Sequence, residues 1–277
     1  MFKWTGIQKQ RLQELGAEKE QLEMAFGDSA ARNKAYQSLE SKLVSRGREK
    51  LLDYREAIKR PLLLDLENRL AKALIDADFS QVVTPILLSK GLLAKMTVTE
   101  DHPLFRQVYW VDDRKCLRPM LAPNLYYILK DLLRLWPHPV SIFEIGPCFR
   151  KDTQGGEHMQ EFTMLNLVEM GLPLESRSER LKELASLVMD RAGIDNYSLE
   201  TEKSEVYGET LDVVSGGLEL GSGAVGPHVL DNEWGIDVPW VGIGFGLERL
   251  VMVGEGYASV LRAGRSLTYL NGTRLNI

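Results

Sequence analysis

Val241–Leu250 reads VGIGFGLERL, and how its glycines are used decides the fold. Gly242, Gly244 and Gly246 stand at every second position and run into Glu248 and Arg249. A dinucleotide-binding turn needs its third glycine three residues after the second, where Leu247 stands. It also needs an acid about 20 positions on, where Gly264 and Arg265 stand. A nicotinamide dehydrogenase is therefore excluded. Alternation from Trp240 to Gly246 predicts a strand, with a helix opening at Gly246 or Leu247. Glycine at alternate positions strips one face of that strand, which marks a place where something lies against the backbone. Arg249, in the first helical turn, points back toward that face, so adenine could rest on the glycines beneath it. Tight packing is the other reading of the same glycines.

Upstream, Phe149–Phe162 reads FRKDTQGGEHMQEF between two predicted strands, Ser141–Gly146 and Phe162–Met170. The first strand delivers Arg150, whose planar fork suits a phosphate. Gly155 and Gly156 let the loop close over a ligand. A plain charged hairpin tip fits the same residues. Earlier still, Pro61 opens a helix that is apolar on most faces, and a strand from Phe79 to Thr84 ends at Pro85.

The remaining pattern mixes strands and helices. Gln107–Val111 and Lys115–Arg118 read as a hairpin, and a helix opens at Pro123. Another helix spans Leu174–Ala192, before short strands at Ser198–Thr201, Glu209–Val214 and Leu218–Ser222. Closely spaced strand pairs with interspersed helices predict an α+β fold with a mainly antiparallel sheet flanked by helices. Residues 7–25 and 28–58 read as two helices, the second capped by Asp28 or Ser29. The expected division is a helical segment at 1–58 and a main domain at 59–277.

The chain has 277 residues, 44% of them apolar, which is ordinary globular composition. No apolar run approaches the ~20 residues of a membrane span. Cys116 and Cys148 fit no CxxC metal spacing, and a reducing, cytoplasmic setting is the expectation. Net charge is −5, which argues against a nucleic-acid partner, but residues 1–60 hold 13 Lys and Arg against 9 Asp and Glu. The C-terminal end adds Arg262, Arg265 and Arg274 without an acid. Basic ends suit a polyanion, although on charge alone solvated helix faces are the simpler reading.

The helix, strand and Pro85, then FRKD…EHMQEF, then GIGFGLERL, in that order, resemble the three signature motifs of class II aminoacyl-tRNA synthetases. LRPMLAPNLYYIL, FEIGPCFRKD, EFTMLNL, VYGETLDV, LELGSGAVGP and PWVGIGFGLERL resemble the catalytic part of the pyrrolysyl-tRNA synthetase family. The likeness runs from about Leu12 to Ile277, without the separate N-terminal RNA-binding domain that some members carry.

That resemblance implies activation of pyrrolysine by ATP and transfer to the 3′ end of tRNA(Pyl), for amber-codon decoding. It implies ATP and Mg²⁺ as cofactors, a homodimer, and room for a separate N-terminal RNA-binding protein as partner. Arg150, Arg249 and Glu219 take the catalytic positions. ATP is bound by these with Asp152, His158, Met159, Phe162, Leu220, Ser222 and Gly244; Glu219 and Ser222 hold the metal. The amino-acid pocket falls on Ala122, Leu125, Tyr126, Leu129, Asn166, Val168, Tyr207, Trp240 and Gly242. Asn166 would hydrogen-bond the amide carbonyl of the substrate side chain. Without the family, Leu125 and Leu129 read as core and Glu219 as an exposed strand residue.

Three positions depart from the family: Asp152 stands for glutamate, Val168 for cysteine or threonine, and Tyr127 where asparagine occurs. The basic N-terminal helices and C-terminal arginines would embrace the tRNA core, with Lys9, Arg46 and Arg48 as candidates. Two alternatives stay open: a class II synthetase of the phenylalanine or phosphoserine branch, and a synthetase-like RNA-binding paralogue that charges nothing.

Overall fold

The computed structural model describes residues 1–152, 156–204 and 206–277. Gly155 therefore lies outside the described residues. Contacts divide the chain into two units, Met1–Leu62 with Ser266–Ile277, and Leu63–Arg265. The first division falls after Leu62, and the C-terminal end belongs with the N-terminal helices.

In the larger unit, seven strands form one sheet: β1 (Ser80–Gln81), β2 (Val140–Phe149), β3 (Glu161–Met170), β4 (Ser198–Ser204), β5 (Gly208–Ser215), β6 (Leu218–Gly226) and β7 (Trp240–Gly246). Their order is β1-β2-β3-β7-β6-β5-β4. Only the short β1 lies parallel to its neighbour; every other pairing is antiparallel. The α+β expectation holds, with helices α1 (Leu62–Asp76), α2 (Ala122–Leu135), α3 (Arg177–Ala192) and α4 (Leu247–Gly254) around the sheet.

Alternation sets what each face does. Val241, Ile243 and Phe245 of β7 are buried, and α3 covers that strand. Gly242, Gly244 and Gly246 face the other way and open onto a cleft. Pro123 sits in the first turn of α2, where its missing N–H removes no helical bond, and Leu125 and Leu129 are fully buried below it.

Four expectations need correction. α1, apolar on most faces and so expected to be buried, is buried on one side only: Leu63, Leu66, Leu70 and Leu74 are buried, while Leu64 and Ile75 face solvent. The strand expected at Phe79–Thr84 shrinks to Ser80–Gln81, because Thr84 turns instead to the carboxylate of Glu144. The hairpin strand at Gln107–Val111 does not form. Pro103 opens a helical turn through Gln107, capped by His102 Nδ1, and only a bridge from Trp110 to Cys116 remains. Lys115–Leu117 pairs with Leu87–Ser89 instead.

The fourth lies in the smaller unit, where residues 7–25 do not form one helix. Gly16 takes φ 85° and ends a helix begun at Gly6; a short turn, Lys19–Leu22, follows. Ala25–Phe26 then pairs with Phe2–Lys3, bringing Phe26 against Trp4 at 4.5 Å. Asp28 caps the long helix Ser29–Asp53 by accepting the Ala31 N–H at 2.7 Å. A π-helical turn, Tyr54–Ile58, completes it. Among the described residues no helix is long and apolar enough to cross a membrane.

Candidate active site

One cleft of about 470 Å³ opens above the middle of the sheet. Its floor is a matter of register. Gly242, Gly244 and Gly246 of β7 stand opposite Val168, Asn166 and Met164 of β3. On the other side Gly244 stands opposite Ser222 of β6, and Ser222 opposite Asp212 of β5. A row Asn166, Gly244, Ser222, Asp212 thus crosses four strands, bare in the middle and polar on both flanks.

The two arginines stand at this floor. Arg150, just past the end of β2, donates through Nε to the Pro119 carbonyl at 2.9 Å. Its guanidinium lies over the Phe162 ring at 5.4 Å. Burial pulls its pKa below the ordinary value, against the opposite pull of Cys148 and Glu219. Arg249, in the first turn of α4, donates to the Glu219 carbonyl at 2.8 Å and to the Glu157 carbonyl at 3.3 Å. Its Nη2 lies 3.1 Å from His158 Nε2, so the arginine ties the β2–β3 loop to β6. Asp152 Oδ2 lies 3.7 Å from the same histidine nitrogen. Two guanidiniums facing one cleft, with Glu219 between them, are an arrangement for a polyphosphate.

Glu219 and Ser222 are three residues apart, a spacing that in a regular strand sends side chains to opposite faces. The β5–β6 register slips between Glu219 and Gly221, and this bulge brings both residues to the cleft. The Ser222 hydroxyl donates to Asp212 at 2.6 Å. Its lone pairs stay available, which with the Glu219 carboxylate makes a set of hard oxygen donors.

Away from the arginines the cleft turns apolar. Ala122, Tyr126, Val168, Tyr207 and Trp240 line it, with Met120, Met164, Val206 and Ala224. Asn166 adds an amide there, Nδ2 donating one hydrogen to the Ile243 carbonyl at 3.2 Å and retaining a second. Tyr207 and Trp240 meet edge-on at 6.0 Å, and Tyr126 meets Trp240 at 5.9 Å.

A family model, the phenylalanyl tRNA synthetase beta chain CLM domain, matches residues 54–243. The chain is 24% identical over 226 residues to the O-phosphoserine–tRNA(Cys) ligase of Archaeoglobus fulgidus, covering 74% of this chain and 42% of that one. With the Methanococcus maripaludis ligase it shares 26% over 172 residues, 58% of this chain and 32% of that one. The chain thus spans less than half the length of these curated relatives. A solved structure of the pyrrolysyl-tRNA synthetase from Desulfitobacterium hafniense is 56% identical, with a TM-score of 0.95 over 99% of both chains. A second structure of that enzyme gives 55% and 0.92, over 99% of this chain and 96% of that one. The chain belongs to the pyrrolysyl-tRNA synthetase family, a class II aminoacyl-tRNA ligase family.

In this member of the family the cleft gathers nearly every residue the motifs point to. Arg150, Asp152, His158, Met159, Phe162, Glu219, Leu220, Ser222, Gly244 and Arg249 line one part; Ala122, Tyr126, Asn166, Val168, Tyr207, Trp240 and Gly242 line the other. Leu125 and Leu129 do not reach it. They lie on the α2 face that packs into the core, with no exposed surface. Tyr127 is half-exposed under Lys130, 4.2 Å from its ring, and takes no part in the pocket. Four residues escaped the sequence reading: Met164, Glu248, Asp212 and Asp231. Met164, Asp212 and Glu248 stand inside quoted motifs without a role of their own, Asp231 lies outside them, and only register or burial gives these residues a place.

Among the described residues no group of three or more His, Cys, Asp or Glu side chains is placed to hold a metal. Two oxygen donors beside a polyphosphate site nonetheless fit Mg²⁺, which keeps waters and takes most remaining ligands from phosphates.

Proposed function

We propose that the protein activates pyrrolysine, or a lysine analogue of similar length, with ATP and transfers it to tRNA(Pyl). The observation that carries this reading is a single cleft with two guanidiniums over a glycine floor at one part and an aromatic, amide-bearing pocket at the other. The substrate carboxylate attacks the α-phosphorus and pyrophosphate leaves; the ribose hydroxyl of the tRNA end then attacks the carbonyl carbon of the mixed anhydride and AMP leaves. No side chain needs to act as nucleophile. Arg150 holds the α-phosphate and the carboxylate, and Arg249 holds the γ-phosphate end while covering adenine against Phe162. Glu219 and Ser222 would hold Mg²⁺, which would supply neutralising charge to the phosphates. Catalysis is then positioning and charge stabilisation by groups already in place.

Asn166 selects the side chain. Its amide, left unpaired by phenylalanine, opposes that substrate. Among the described residues lining the cleft, the only lysine or arginine side chains are Arg150 and Arg249. The aromatic part therefore offers nothing to neutralise a phosphoserine.

The tRNA is assigned to the unit of residues 1–62 and 266–277, where Lys9, Arg46 and Arg48 are exposed. Arg274 is a poorer candidate, since it pairs with Glu14 at 3.2 Å. Binding through phosphates would weaken steeply with salt. A homodimer, a cytoplasmic setting and a separate N-terminal RNA-binding partner complete the reading. Charging of an amber-suppressor tRNA with Nε-Boc-lysine, beside phenylalanine and O-phosphoserine, tests it. Charging with the lysine derivative alone supports the proposal; tRNA binding without any charging would favour a paralogue.

A further inference from the structure

Asp231 is buried, with 1% of its surface exposed, and does not itself line the cleft. It belongs to the 3-10 turn Val229–Trp234 between β6 and β7. Its Oδ1 accepts the Tyr126 hydroxyl at 3.3 Å. Its Oδ2 accepts the Trp240 indole N–H at 2.8 Å and the His228 backbone N–H at 2.6 Å. These donors come from three places: α2, the first residue of β7, and the segment after β6. Burying a carboxylate is costly unless hydrogen-bond donors meet its oxygens, and three do.

What these donors have in common is the apolar part of the cleft. Tyr126 and Trp240 line it directly, and the His228 ring lies 5.8 Å from that of Tyr207. Trp234, from the same turn as Asp231, stacks on Tyr126 at 5.4 Å. Aromatic contacts tolerate a range of offsets and tilts. Two hydrogen bonds to one buried carboxylate do not, so they fix how the rings of Tyr126 and Trp240 are turned. Burial raises both tyrosine hydroxyls above their ordinary range, so each keeps its hydrogen.

We propose that Asp231 is a positioning residue for the amino-acid substrate, setting the width and depth of the pocket by holding Tyr126 and Trp240 to one point. This deepens the proposed function and rests on its assignment of the aromatic part of the cleft to the substrate side chain. Asp231→Asn is the decisive change because it preserves volume. An amide can accept from Trp240 and His228 on one side, but on the other its N–H can only donate to the Tyr126 oxygen, so the Tyr126 hydrogen loses its acceptor.

The test measures KM for Nε-Boc-lysine and KM for ATP separately by ATP–pyrophosphate exchange, with thermal melting alongside. Asp231→Asn should raise KM for Nε-Boc-lysine about tenfold or more, as expected when a buried hydroxyl hydrogen loses its acceptor. KM for ATP should stay within about twofold, because Asp231 touches no residue of the nucleotide part. Adding Tyr126→Phe to Asp231→Asn should then cost little more, since both act on one bond. Equal rises in both KM values, or no change in either, would overturn the assignment. If Asp231→Asn melts too early to assay, Tyr126→Phe alone carries the same expectation. Asn166→Ala separates the two levels. Where it raises KM for Nε-Boc-lysine and Asp231→Asn does not, the pocket stands and the role of Asp231 fails. Where neither variant moves it, the pocket assignment fails as well.

Discussion

Ser222 gives its hydroxyl hydrogen to Asp212 at 2.6 Å, across adjacent strands that place the two residues directly opposite. A hydroxyl whose hydrogen is committed in this way turns its lone pairs outward. Asp212→Ala would leave the hydroxyl free to rotate and donate into the cleft. The half-saturating Mg²⁺ concentration in ATP–pyrophosphate exchange should rise about tenfold, the scale expected for residues that orient a ligand. Calorimetric titration of a non-hydrolysable ATP analogue at fixed Mg²⁺ should show the same weakening without turnover. An unaltered Mg²⁺ requirement would remove Ser222 from the metal site.

Arg150 and Arg249 are held by backbone carbonyls before any phosphate arrives, Arg150 by Pro119 and Arg249 by Glu219 and Glu157. Such preorganisation needs little rearrangement at the transition state. Arg150→Ala should cost ~3–4 kcal/mol of transition-state stabilisation, or 10²–10³ in exchange rate. Arg249→Lys should restore little of the loss caused by Arg249→Ala, because an ammonium cannot reproduce the fork that reaches Glu219 and His158 together. Near-normal exchange in Arg150→Ala would discard its role.

Why the motifs led to the right face but not to every residue is visible in β6 and β7. Glycine at alternate positions of β7 is a pattern of period two, which any strand preserves, so the bare face was legible in VGIGFGLERL. Glu219 and Ser222 are another matter, since their shared face depends on a bulge that no residue type announces. Asp212 meets Ser222 10 positions away, and Asp231 reaches α2 through Tyr126, 105 positions away. Leu125 and Leu129, which the resemblance assigns to the pocket, are fully buried in one cluster with the lining residues Tyr126, Val168 and Trp240. Local pattern predicts strands; register and burial decide which side chains meet.

Glu248 takes the Thr163 N–H on both carboxylate oxygens, each at 2.9 Å, with Arg265 Nη1 at 3.8 Å. Burial outweighs these favourable contacts and pushes its pKa from 4.5 up to about 7. The folded protein therefore holds this proton more tightly than the unfolded chain does. Stability from that proton is complete below about pH 4.5 and is lost as pH rises through about 7, a swing of ~3 kcal/mol. Glu248→Gln cannot titrate. Its melting temperature should change less than that of the unaltered protein between pH 5 and pH 8.5. Parallel curves for the two proteins would show that Glu248 ionises normally.

Gly244 and Gly221 separate a floor kept bare for a ligand from one kept bare for packing. A methyl group at Gly221 would meet the Phe245 ring at 2.5 Å and the Gly244 carbonyl at 2.8 Å. Neither can move without disturbing the sheet, so Gly221→Ala should destabilise the fold by ~1–3 kcal/mol. At Gly244 the nearest atom is the flexible end of Met164, at 3.3 Å, with Asn166 Oδ1 at 3.8 Å. Gly244→Ala should therefore melt within a few degrees of the unaltered protein, a shift worth about 1 kcal/mol or less. Its new methyl group nonetheless stands up from the floor where adenine is assigned. KM for ATP should rise several-fold while the fold persists. A Gly244→Ala protein with unchanged KM for ATP would mean that the glycines serve strand packing and that adenine lies elsewhere.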